Sequence, residues 1–141
     1  MKKIKHVFGH ELLIDCYGCE DWMCGNLEHC YSFLDKMVSA IDMKKQAPPQ
    51  VFRTDSKLFP DKAGISGWVA LVESSIVIHT LSKTNFVSID VYTCGKLDEK
   101  LAISFVKKHF KPKRIEKQYV ERGIHYYSLP EKRNTKKRKR G

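Results

Sequence analysis

Residues 65–80 (ISGWVALVESSIVIHT) and 85–94 (NFVSIDVYTC) hold the densest run of Val, Ile and aromatic residues in this chain of 141. In the second stretch Phe86, Ser88, Asp90 and Tyr92 alternate with Val87, Ile89, Val91 and Thr93, the two-residue period of a strand. The first stretch is strand-like except where Glu73, Ser74 and Ser75 interrupt it. Two serines and a carboxylate inside apolar strand sequence need partners, since an unpaired buried polar group costs roughly 1–3 kcal/mol. One reason for the break is a tight turn between two strands at 73–75. Another is a serine hydroxyl placed to attack the carbonyl just before it.

The flanks complete the pattern. Residues 6–16 (HVFGHELLIDC) read as a first strand, broken by Gly18, Glu20 and Asp21. From Asn26, a suitable N-cap, Leu27, Cys30, Leu34, Met37, Val38 and Ile41 recur at helical spacing to about Met43. Pro48-Pro49 excludes helix, and a short strand is expected near 50–54. Asp98 caps a second helix whose shared face is Leu101, Phe105, Val106 and Phe110, stopped by Pro112. A last strand covers 114–121. The expected fold is α+β, a two-layer α/β sandwich with one antiparallel sheet and two helices on one face. The other face then needs a cover, which implies a homodimer.

The net charge of +10 is mostly a tail: residues 131–141 (EKRNTKKRKRG) carry +6, leaving +4 for 1–130. The expectation is one domain over 1–130 and a basic, solvated tail over 131–141 that can contact polyanions. The basic start of the chain lacks an uninterrupted apolar stretch and a cleavage site, and no uncharged apolar run nears the ~18 residues a membrane span needs. No signal peptide, no membrane partner and a cytoplasmic location are expected. Cys16-Tyr-Gly-Cys19, with Cys24, Cys30 and His10 or His29 nearby, admits a zinc or redox reading. No second close Cys/His pair follows, so structural thiols and no metal are expected.

His79 lies five residues after Ser74, and Cys94 ends the next strand before Gly95. An antiparallel turn brings such residues toward one cleft, a Ser/His/Cys cluster of unspecified chemistry. No G-x-S-x-G, glycine-rich phosphate loop or H-E-x-x-H is present.

Glu73-Ser74, His79-Thr80 and Thr93-Cys94-Gly95, in that order and spacing, resemble the small prokaryotic S-adenosylmethionine decarboxylases. Gly64-Ile65-Ser66-Gly67, Gly9-His10, Asp90 and Glu121-Arg122-Gly123 extend the likeness over about residues 6–123. The resemblance implies self-cleavage into chains 1–73 and 74–141, with Ser74 becoming a pyruvoyl cofactor that binds substrate as a Schiff base. It implies that His79 takes the α-proton during cleavage, Ser66 steadies the oxyoxazolidine intermediate and Cys94 protonates the product carbon. It further implies a dimer of cleaved units and a product that feeds spermidine synthesis. Where the family usually continues His-Thr with Trp-Pro-Glu, whose glutamate accepts from ribose hydroxyls, this chain has Leu81-Ser82-Lys83. An ammonium there accepts no hydrogen bond and repels a sulfonium. Alternatives are therefore a pyruvoyl-dependent arginine or ornithine decarboxylase and a non-cleaving regulatory homologue. Phe59 or Trp68 are candidates for replacement stacking.

Overall fold

The structure, a computed structural model, describes residues 6–132. Six strands, β1 (Gly9–Tyr17), β2 (Gln50–Arg53), β3 (Ile65–Leu71), β4 (Ser74–Leu81), β5 (Phe86–Thr93) and β6 (Arg114–Arg122), form one antiparallel sheet in the order β2-β3-β4-β5-β1-β6. Helix α1 (Leu27–Ala40) lies over β2 and β3, and α2 (Glu99–Phe110) meets β1 and α1. This is the two-layer sandwich expected.

The alternation of side chains decides which face the helices cover. Leu12, Ile14 and Cys16 of β1, Ile65, Val69 and Leu71 of β3, Ile76 and Ile78 of β4 and Val87, Ile89 and Val91 of β5 are buried. They pack in one core with Cys30, Phe33, Leu34, Met37 and Val38 of α1. Each large apolar side chain so enclosed contributes about 1.5–3 kcal/mol relative to exposure. The other face carries Glu11, Ser66, Trp68, His79, Asp90 and Tyr92, with Phe52 beside Trp68 at 5.2 Å between ring centroids.

Local chemistry sets the helix ends. Asn26 accepts from the His29 N–H at 2.8 Å, and Asp98 accepts from Leu101 N–H at 3.1 Å. The two helices are tied reciprocally: His29 Nε2 lies 2.8 Å from the His109 carbonyl and His109 Nε2 lies 3.1 Å from that of His29.

Two expectations need correction. The β3–β4 turn is Val72–Glu73, so Ser74 and Ser75 begin β4 instead of forming the turn. In α2, Leu101 is 51% exposed, and Ala102, Val106 and Phe110 make the buried stripe. Cys16, Cys19, Cys24 and Cys30 are all buried. The Cys16 thiol's hydrogen bond pushes Cys19 up to about 12, and burial does the same for Cys30. Among the described residues no three His, Cys, Asp or Glu side chains are arranged to hold a metal ion, and no helix is long and apolar enough to cross a membrane. Glu131 and Lys132 are exposed, and the rest of the basic tail lies outside the described residues.

Candidate active site

The β3–β4 hairpin closes with Leu71 opposite Ser74, leaving only Val72 and Glu73 in the turn. Such a tight connection needs a left-handed residue, and Glu73 takes that role at φ +61°. For a residue with a Cβ this conformation costs about 1–2 kcal/mol. The strained residue is the one just before Ser74.

Ser74 pairs across the sheet with Thr93, and its Oγ donates to Thr93 Oγ1 at 2.9 Å. Thr93 is 1% exposed, and its hydroxyl oxygen also accepts the Gly95 N–H at 2.9 Å. One buried threonine thereby fixes both the serine and the backbone that follows Cys94. Sequence reasoning places Thr93 in a motif but gives it no task; the signal available is a hydroxyl at an inward position of an otherwise apolar strand. Cys94 Sγ donates to Glu73 Oε2 at 3.0 Å, and that carboxylate, followed by burial, raises the thiol's pKa. A groove of about 920 Å³ opens beside Cys94, walled by His10, Leu97, Lys100 and Tyr119.

Ser66 and His79 form a second unit. They face each other across the β3–β4 ladder, with Ser66 Oγ 3.0 Å from His79 Nδ1. Two features hold this register. A Cβ on Gly64 would stand 1.9 Å from the Thr80 carbonyl oxygen, so only glycine permits the approach. Thr80 Oγ1 accepts the Ile65 N–H at 2.8 Å and donates to the Cys24 carbonyl, tying β3, β4 and the turn before α1 together. Asp90 lies on the same sheet face; burial and Glu11 raise its pKa, and His79 opposes them. A groove of about 560 Å³ lies against Ser66 and His79, bounded by Thr54, Phe59, Asp61 and Leu81. Trp68 is outside it. Lys83 Nζ is 3.2 Å from Asp61 Oδ1, both side chains being well exposed.

The two units do not meet within one chain. Ser74 and His79 are five residues apart on an extended strand, about 17 Å at ~3.4 Å per residue, and an odd spacing turns them to opposite faces. Ser74, Thr93, Glu73 and Cys94 are brought together; Ser66 and His79 are brought together elsewhere.

Comparison with known proteins matches residues 10–123 to the family described as S-adenosylmethionine decarboxylase. An S-adenosylmethionine decarboxylase proenzyme of Clostridium botulinum (strain Langeland) is 31% identical over 116 residues, covering 82% of this chain and 94% of the relative. One from Pyrobaculum arsenaticum is 29% identical over 122 residues, 86% of this chain and 89% of the relative. The crystal structure of the adenosylmethionine decarboxylase from Aquifex aeolicus superposes with a TM-score of 0.71 at 28% identity, covering 92% of this chain and 98% of the other. By a likeness that runs from the first strand to the last, the chain belongs to the S-adenosylmethionine decarboxylase family.

Proposed function

We propose that this chain is a proenzyme that cuts itself between Glu73 and Ser74 and then decarboxylates S-adenosylmethionine. The observation that carries the reading is the hairpin tip, where a left-handed glutamate precedes a serine hydroxyl held by a buried threonine. Ser74 Oγ adds to the Glu73 carbonyl carbon, the peptide C–N bond breaks, and the amide becomes an ester. Loss of the Ser74 α-proton expels Glu73 as a carboxylate and leaves a dehydroalanine; tautomerisation and one water then release ammonia and leave a pyruvoyl group at residue 74. The products are chains 1–73 and 74–141. Their fold survives the cut because β4 stays laddered to β3 and to β5.

The half-buried place of Ser74, between a buried threonine and beside a thiol, suits an electrophile that must be kept from bulk water. The pyruvoyl group supplies a carbonyl that takes up the substrate amine and the electrons released with carbon dioxide. Cys94, a neutral thiol at pH 7, gives the product carbon its proton. His79 removes the Ser74 α-proton and Ser66 steadies the tetrahedral intermediate of the cut. Because His79 lies about 17 Å from Ser74 along β4, and Ser66 sits opposite His79 on β3, both act from a second chain. In this reading the partner chain covers the open sheet face, which bears His79 and the exposed Phe52 and Trp68. Phe59 offers the nucleoside a stacking wall beside His79. A reducing, cytoplasmic compartment suits five thiols of which four are buried. The aminopropyl-bearing product suits spermidine synthesis, and the basic tail offers contact to polyanions.

Mass spectrometry of purified protein tests the cut: two chains, the second beginning at residue 74 and blocked by a pyruvoyl group, are expected. A chain that stays intact on long incubation overturns the reading. Carboxyl-labelled substrates test the reaction; carbon dioxide from arginine or ornithine but not from S-adenosylmethionine overturns the choice of substrate.

A further inference from the structure

Cys94 stands just beyond the last residue of β5, where the sheet ladder no longer fixes the backbone. Its side chain is held by the hydrogen bond to Glu73 Oε2 at 3.0 Å. The register makes this contact natural, because Ser74 opposite Thr93 brings Glu73 beside Cys94. Glycine adopts the φ of +61° at position 73 far more easily than glutamate does. A glutamate kept in a strained conformation points to a use for its side chain. The carboxylates that line the groove beside Cys94 are committed elsewhere: Asp98 caps α2 through the Leu101 N–H, and Glu99 pairs with Lys117. The remaining titratable groups there are His10 of β1, Lys96 and Lys100 around the start of α2, and Tyr119 of β6.

We propose that Glu73 is the positioning residue for Cys94: in the uncut chain its carboxylate accepts the thiol's hydrogen, keeping the sulfur neutral and turned toward the bond to be cut. The proposal rests on the reading of Cys94 as the proton donor. A neutral thiol is a poor nucleophile, so the Glu73 carbonyl is left to Ser74 Oγ and not to the neighbouring sulfur. The hydrogen that the finished enzyme delivers is in place before the cut is made. The raised pKa of Cys94, whose largest cause is the Glu73 contact, agrees with this geometry.

The test uses the full-length Ser74→Ala chain, which stays uncut, with and without Glu73→Gln. Alkylation of Cys94 by iodoacetamide is followed by peptide mass spectrometry from pH 6 to 10. With Glu73→Gln the pH midpoint should fall, and each tenfold gain in thiolate should speed alkylation at pH 7.5 about threefold, because nucleophilicity declines with pKa. Continued protection of Cys24 and Cys30 reports that the chain is folded. If Glu73→Gln fails that control, Glu73→Gly, which relieves the backbone while removing the carboxylate, must give the same shift. An unchanged midpoint at Cys94 in a folded chain overturns the proposal. No substrate is present, so the outcome is independent of whether S-adenosylmethionine is decarboxylated; failure of that reading shows instead as missing carbon dioxide release from the processed protein.

Discussion

Two dead variants should repair each other. His79→Ala removes the proposed base, and Ser74→Ala removes the residue to be converted, so each alone should remain one chain. Ser74 and His79 are separated by about 17 Å along β4, against a hydrogen-bond reach of about 3 Å, so neither rotamer changes nor side-chain length closes the gap. The proposed site therefore pairs Ser74 of one subunit with His79 of another. Co-expression then gives mixed dimers in which one of the two sites has both intact residues. With random pairing half the dimers are mixed and each cuts one chain, so about a quarter of all chains should be cleaved, all of them His79→Ala chains. Intact-mass spectrometry reads this directly, because the two variants differ in mass and the cut yields a distinct downstream chain. A site within one chain predicts no cleavage in any mixture. No cleavage in mixtures shown by native mass spectrometry to contain mixed dimers would falsify the shared site.

Three further outcomes follow from single contacts. Thr93→Val deletes the acceptor of the Ser74 hydroxyl and of the Gly95 N–H, and self-cleavage followed by gel should slow about three- to tenfold, the worth of about one hydrogen bond; an unchanged rate denies Thr93 that task. Thr80→Val leaves the buried Ile65 N–H and the Cys24 carbonyl unpaired, a loss of about 2–4 kcal/mol that calorimetry should register as a melting point lower by roughly 10 °C. His109, lowered to about 4 by burial, binds its proton above pH 4 only when the chain unfolds, so stability is present above pH 6.5 and is lost as pH falls through that value toward 4. After discounting for its partial exposure the loss is about 1–2 kcal/mol, and His109→Phe should flatten the difference in melting point between pH 7.5 and pH 5; an equal acid slope in the variant excludes His109 as its source.

The sheet is legible in the sequence because its strands alternate: the two faces of 86–93 follow from period alone. Helix starts are legible because Asn26 and Asp98 are chemical caps. The hairpin turn is not, since Val72 and Glu73 have no turn propensity and are forced into the turn by the pairing of Leu71 with Ser74. Helical period admits both Leu101 and Ala102 into a stripe, and only the packing partner decides between them. The site divides in the same way. Ser74 and Cys94 are neighbours through register, as their motifs suggest. The expectation that His79 joins them neglects an implication of the spacing itself, because five residues along a strand reverse the face. Ser66 opposite His79 is a contact across thirteen residues, set by the Gly64 approach to Thr80, and no local pattern announces it.

The departure at Leu81-Ser82-Lys83 looks different once folded. By resemblance, position 83 belongs to a glutamate that accepts from ribose, and a bare ammonium there argues against a sulfonium nucleoside. Lys83 is not bare: it lies 3.2 Å from Asp61, whose backbone belongs to the short helical turn Pro60–Lys62 at the rim of the same groove. So exposed a pair contributes little stability, about 0–1 kcal/mol, but it cancels the charge that would repel the substrate. Ser82 donates from both its N–H and its hydroxyl to the Ala63 carbonyl, at 2.9 and 3.0 Å, pinning the altered segment to the stretch that carries Gly64 and Ser66. A carboxylate therefore remains at the groove, supplied from another loop, next to the aromatic wall of Phe59. That pairing of an apolar ring with a peripheral acceptor suits a nucleoside, whereas a free arginine or ornithine would leave the ring without a partner.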